Sequence, residues 1–121
     1  MKSQISFSNL GNQFIHEMRE GINNSEDKVD LENCFSMTVA KFLKRVFEDH
    51  EIRINDDDIR FDPAADNYFS LHGELRDHDY FKEIWHSSDL PNVIKKFANS
   101  VYHRYLHLDR HPEKTQKKIR N

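Results

Sequence analysis

Eight histidines in 121 residues raise metal chemistry first. His103, His107 and His111 recur at every fourth position, and two histidines at that spacing on a helix can share one zinc ion. On a helical wheel all three fall opposite Ile94, on a face that also carries Lys96 and Arg110. Cationic neighbours disfavour a metal. No HExxH, paired cysteines or carboxylate cluster completes a ligand set. A solvated face is therefore expected, with no metal and no cofactor assigned.

The segment from His72 to Asp79 is the densest in acid–base groups. His72, Glu74, His78 and Asp79 are the residues a metal-dependent hydrolase would use for proton transfer. Asp77 and Asp79 also suit a helix N-terminus, where anionic groups are favoured without any catalysis. The acidic stretch from Glu48 to Asp66 has the composition of a calcium loop but not its pattern. That loop needs Gly at its sixth position and a bidentate Glu at its twelfth. Counting from Asp56 these are Phe61 and Asn67, and from Asp58 they are Pro63 and Phe69. The stretch reads as turn chemistry and solubility, or as an acidic ridge that docks on a basic surface.

Charge is unevenly spread. Residues 103–121 carry six Lys or Arg against Asp109 and Glu113, a net +4 that leaves −7 on residues 1–102. Lys114, Lys117, Lys118 and Arg120 could contact phosphates without reading sequence, the basis of a nucleic-acid alternative. With only Gly11, Gly21 and Gly73, the chain has no phosphate-cradling loop. Cys34 is the single cysteine, which excludes an internal disulfide. In mid-helix its apolar surroundings should raise its thiol pKa, a poor setting for a nucleophile.

The elements that must position these residues follow from periodicity. Leu10, Phe14 and Met18 recur at helical spacing, with Phe7 and Ile22 at the ends, and predict a helix over 8–22 capped by Ser8 or Asn9. Leu31, Phe35, Thr38, Val39, Phe42 and Val46 predict a second over 31–49, with Asp30 as its cap and an antiparallel partner in the first. The period then changes to two. Residues 50–54, 58–62 and 68–72 alternate apolar with polar, with turn residues between them, and predict an antiparallel β-meander at about 51–72. Asp77 is expected to cap a short helix over 78–86. A long helix should run over 90–109, with Leu90, Ile94, Phe97, Ala98, Val101, Tyr105 and Leu108 as its stripe and Pro112 beyond its end.

The expected fold is thus α+β: two N-terminal helices, the meander, then a short and a long helix, with helices roofing one face of the sheet. Residues 1–111 form a single domain, and 112–121 a basic, flexible tail. The N-terminus lacks the apolar run of a signal peptide and no stretch is apolar enough to span a membrane, so a cytoplasmic protein is expected. The other sheet face would carry Arg53, Arg60, Tyr68 and His72, residue types enriched at interface hot spots. The functional expectation is a non-enzymatic protein-binding or regulatory module of adaptor or inhibitor type, with homodimerisation through the sheet as one way to protect its edges.

Overall fold

The computed structural model describes residues 6–110, the last two by their backbone alone. The basic residues Lys114, Lys117, Lys118 and Arg120, the proposed tail and His111 lie outside the described residues.

Helix α1 (Ser8–Asn24) buries Gly11, Met18 and Ile22. Its first turn is not capped by Ser8 or Asn9. The carboxylate of Asp89 accepts the Phe7 N–H at 2.7 Å and the Ser8 and Ser6 hydroxyls at 2.8 and 2.9 Å. A residue 82 positions away along the chain therefore anchors the start of the helix by taking the N–H of Phe7, the residue just before it. The Ser25 hydroxyl closes the other end by donating to Gly21 O at 2.8 Å.

Helix α2 (Lys28–Val46) starts and stops three residues earlier than the sequence predicts. Asp27 rather than Asp30 is its cap, accepting the Asp30 N–H at 2.8 Å, and the Asp30 carboxylate takes the Glu26 N–H at 3.0 Å. This helix is the hub. Leu31, Phe35, Thr38, Val39, Ala40, Phe42 and Leu43 are all buried, and α1, the sheet and the long C-terminal helix pack on its different sides. The α1 pairing is antiparallel: Gly21 abuts Cys34 while Glu17 meets Lys41 at 2.9 Å.

The expected meander loses its first strand. Along 51–54 the alternation is real, with Ile54 buried, Ile52 half-buried, and Glu51 and Arg53 exposed, but the segment has no ladder partner. One-sided burial is enough to impose a period of two. A 3₁₀ turn at Asp56–Asp58 follows, fixed by a capping box in which Asn55 N–H donates to Asp58 Oδ2 at 2.9 Å. Strands β1 (Ile59–Phe61) and β2 (Phe69–Leu71) then pair antiparallel, Ile59 opposite Leu71 and Phe61 opposite Phe69. Those four face the helices, while the Arg60–Ser70 pair faces away. Ser36 Oγ of α2 donates to Ile59 O at 2.9 Å and pins β1 to the hub.

After β2 the chain forms a five-residue helix that the sequence reading missed, α3 (Gly73–Asp77), opened by Gly73 at φ +67°. Asp77 therefore ends one helix instead of capping the next. Helices α4 (Asp79–Ser87) and α5 (Leu90–Arg110) follow as predicted to within a residue. The fold is α+β, with helices before and after an antiparallel sheet that has two strands among the described residues.

Aromatic rings tie the layers together. Phe42 of α2 lies between Phe14 of α1 and Phe97 of α5, with centroids at 5.8 and 5.4 Å, both edge-to-face. Phe61 bridges Phe35 and Tyr105 at 6.1 and 5.6 Å, joining sheet to α2 and α5. Phe81 links Phe47 to Trp85 at 5.7 and 5.4 Å, and Trp85 meets Phe69 at 6.0 Å. Each such pair contributes about 0.5–1.5 kcal/mol beyond its burial, which compensates for a composition only 36% hydrophobic. Among the described residues no helix is long and apolar enough to cross a membrane.

Candidate functional site

The four residues expected on the outer sheet face are not brought together as a set. Arg60 is there, exposed, its Nε donating to Asp57 O at 3.1 Å. His72 is close by, because its Nε2 and Ser70 Oγ are 2.8 Å apart. Arg53 is exposed on the irregular segment before the 3₁₀ turn. Tyr68 has left the strand: its φ of 68° breaks the alternation. Its ring stacks on Tyr102 of α5 at 3.9 Å and 4°.

The hydrolase candidates are similarly dispersed in role. His72 is engaged with Ser70, Glu74 and Asp79 stand exposed in the first turns of α3 and α4, and His78 joins those two helices. Among the described residues no group of three or more His, Cys, Asp or Glu could hold a metal. The acids of the 48–66 stretch do local work where they are engaged: Asp58 closes the capping box, and Asp62 Oδ1 accepts the Ala64 N–H at 3.0 Å. Burial pushes the Cys34 thiol above its usual range; a hydrogen bond with Thr38 opposes this and nearby Glu17 adds to it. The direction is the one expected from its apolar, mid-helix setting.

A concave feature that involves none of these residues lies between α1 and α5. Ser8 sits at Asp89 and Gly11 against Val93, so the two helices run in the same direction. Gly11 sets their separation, since a Cβ there would collide with the Val93 side chain. Beyond this close approach they frame an open groove of about 410 Å³. Its floor is Ile15, half-buried, with Gly11, Val93 and Phe97 beneath the surface. Asn12 on α1 and Asn92, Asn99 and Ser100 on α5 supply polar walls, each amide offering both a donor and an acceptor.

Arg19 and Lys96 supply the groove's positive charge, and both are exposed. Among the described residues neither makes an ion pair. Asp89 is the acid in the lining, and its oxygens are already taken by Phe7, Ser8 and Ser6. Partial desolvation works against its ionisation, but these donors outweigh it and hold the carboxyl below its usual pKa of 3.8. The groove is therefore cationic within a part of the chain, residues 1–102, that carries −7.

The sequence reading missed this groove. A signal was present, because Asn12 and Arg19 are seven residues apart on α1, as are Asn92 and Asn99 on α5 with Lys96 between them. Each stripe alone resembles a solvated face, and only the packing of α1 on α5 makes them two walls. Compared with family models, with curated proteins and with solved structures, the chain matches none.

Proposed function

We propose that this protein is a non-enzymatic protein-binding module of the cytosol whose partner docks in the α1/α5 groove. The observation that carries the reading is a preformed groove with two cations that lack carboxylate partners among the described residues. Preformed concave sites with a few convergent polar groups are the common location of binding. Unpaired cations in such a place are free to be satisfied by a partner, which adds specificity and association rate.

Affinity capture from the native host's lysate, with and without nuclease, tests this. Wild-type protein should retain a stoichiometric protein partner that survives nuclease and is lost with Arg19→Glu/Lys96→Glu. Arg53→Glu/Arg60→Glu, outside the groove's lining, should retain it. Loss with the second pair and not the first would return the docking surface to the sheet. Disappearance on nuclease treatment would favour the nucleic-acid alternative. The outer edge of β2 has no strand beside it among the described residues, which supports pairing with a second copy as a separate property; sedimentation of the free protein reads that directly.

A further inference from the structure

We infer that the α1/α5 groove takes an extended acidic peptide, with carboxylate side chains on alternate residues meeting Arg19 and Lys96. This rests on the groove reading above and names the chemistry of the partner.

Three features of the groove carry it. The first is charge. Arg19 and Lys96 lack ion-pair partners among the described residues, and against the one acid in the lining, Asp89, which its three donors keep ionised, they leave the groove net positive. Residues 1–102 as a whole carry −7, so an anionic segment is repelled by most of the surface and accepted here. The second is the wall chemistry. Asn12, Asn92 and Asn99 each present an N–H₂ donor and a carbonyl acceptor, the complement of a peptide backbone. Ile15 is the half-buried apolar group of the floor, whereas Gly11, Val93 and Phe97 are buried. An amphipathic helix seeking a greasy trough would find little area.

The third is spacing. Gly11 and Val93 fix the register of the two parallel helices. Arg19 is eight residues beyond Gly11 and Lys96 three beyond Val93, so at 1.5 Å per residue they are offset by roughly 7.5 Å along the groove. Residues i and i+2 of an extended strand are about 7 Å apart and point the same way. A polynucleotide fits less well, since it brings a long run of phosphates to two cations on a stretch, residues 1–102, whose net charge is −7.

The test is a titration of the full-length ¹⁵N-labelled protein with a capped heptapeptide alternating serine and glutamate, followed by NMR. Companion titrations use the glutamine version of the peptide and inorganic phosphate. The expected result is saturable shifts centred on the side-chain amides of Asn12, Asn92 and Asn99. Affinity should fall at least tenfold for the glutamine peptide and for Arg19→Glu/Lys96→Glu, with Arg19→Gln/Lys96→Gln in between and all variants folded by circular dichroism. Equal binding of both peptides, binding unchanged in the groove variants, phosphate binding as tight as the peptide, or no saturation at millimolar peptide would each overturn the inference. If the glutamate peptide fails while lysate capture still depends on Arg19 and Lys96, the docking groove stands and only the acidic, extended chemistry falls.

Discussion

Replacing Asp89 by alanine should unfasten the start of α1 from the start of α5. The wild-type carboxylate accepts one backbone N–H at 2.7 Å and two hydroxyls at 2.8 and 2.9 Å. Loss of a helix cap costs about 0.5–2 kcal/mol, and loss of an anion at a helix N-terminus about 0.3–1 kcal/mol. The two overlap here and the site is only partly buried, so about 1–2 kcal/mol is the combined expectation. With a urea slope of about 1–3 kcal/mol per molar, the midpoint should fall by roughly 0.3–2 M. Helical circular dichroism and the fluorescence of Trp85, which is half-buried against Phe69 and Phe81, should report the same transition.

The pH dependence has a definite sign. The folded-state pKa of Asp89 lies below its ordinary 3.8. Its contribution is therefore present above that ordinary value and is lost as pH falls through the lower, folded value. The gap between wild type and Asp89→Ala should stay constant from neutral pH to about 4.5 and narrow in stronger acid. Asp89→Asn, which keeps an acceptor without the charge, should lie between them at neutral pH. An unchanged midpoint in the alanine variant, or a gap that narrows between pH 7 and 5, would refute the assignment of Asp89 as the cap of α1.

Phe42→Ala, which removes the ring shared by Phe14 and Phe97, should cost about 3–5 kcal/mol in denaturant unfolding and leave the chain near the limit of stability. Gly11→Val should force α1 away from Val93 and cost about 1–3 kcal/mol; Val93→Ala in the same chain should recover part of that in a double-mutant cycle. The Cys34 thiol, with its raised pKa, should react slowly with a disulfide reagent at neutral pH and accelerate only above the ordinary value of 9.0, in contrast to a small thiol measured alongside. Tyr68→Ala should remove the stack on Tyr102 while leaving a non-glycine residue at positive φ, so Tyr68→Gly, which loses the same stack but suits that φ, should be the more stable of the two by thermal melting.

Helical stripes were the most legible part of the chain. Phe14, Phe42 and Phe97 are each marked by spacing alone; Phe42 and Phe97 are in the core and Phe14 packs half-buried against it. Strand pairing was less legible, because Ile52 and Ile54 alternate as well as Ile59 and Phe61 do, and burial on one side produces the same pattern with or without a hydrogen-bonded neighbour. Caps were ambiguous where acids are dense: Asp27 and Asp30 both suit the start of α2, and three residues of helix turn on which one accepts from the other. The reach of Asp89 to Phe7 and the groove between α1 and α5 were not legible at all. Both depend on which faces of two distant helices meet, and no local window holds that information.

The clasp formed by Asp89 also dictates an order of events as the polypeptide leaves the ribosome. Residues 6–50 can collapse into a hairpin of α1 on α2 early, with Phe14 already against Phe42. The third ring, Phe97, and the acid that seals the first turn both come in the last third of the 121 residues. Until they emerge, the nascent hairpin shows a naked aromatic seam and a fraying tip, an interval in which chaperone binding or premature association competes with completion. Completion requires α5 to settle alongside α1 and cover the seam, and contacts so distant in sequence slow a small domain's folding.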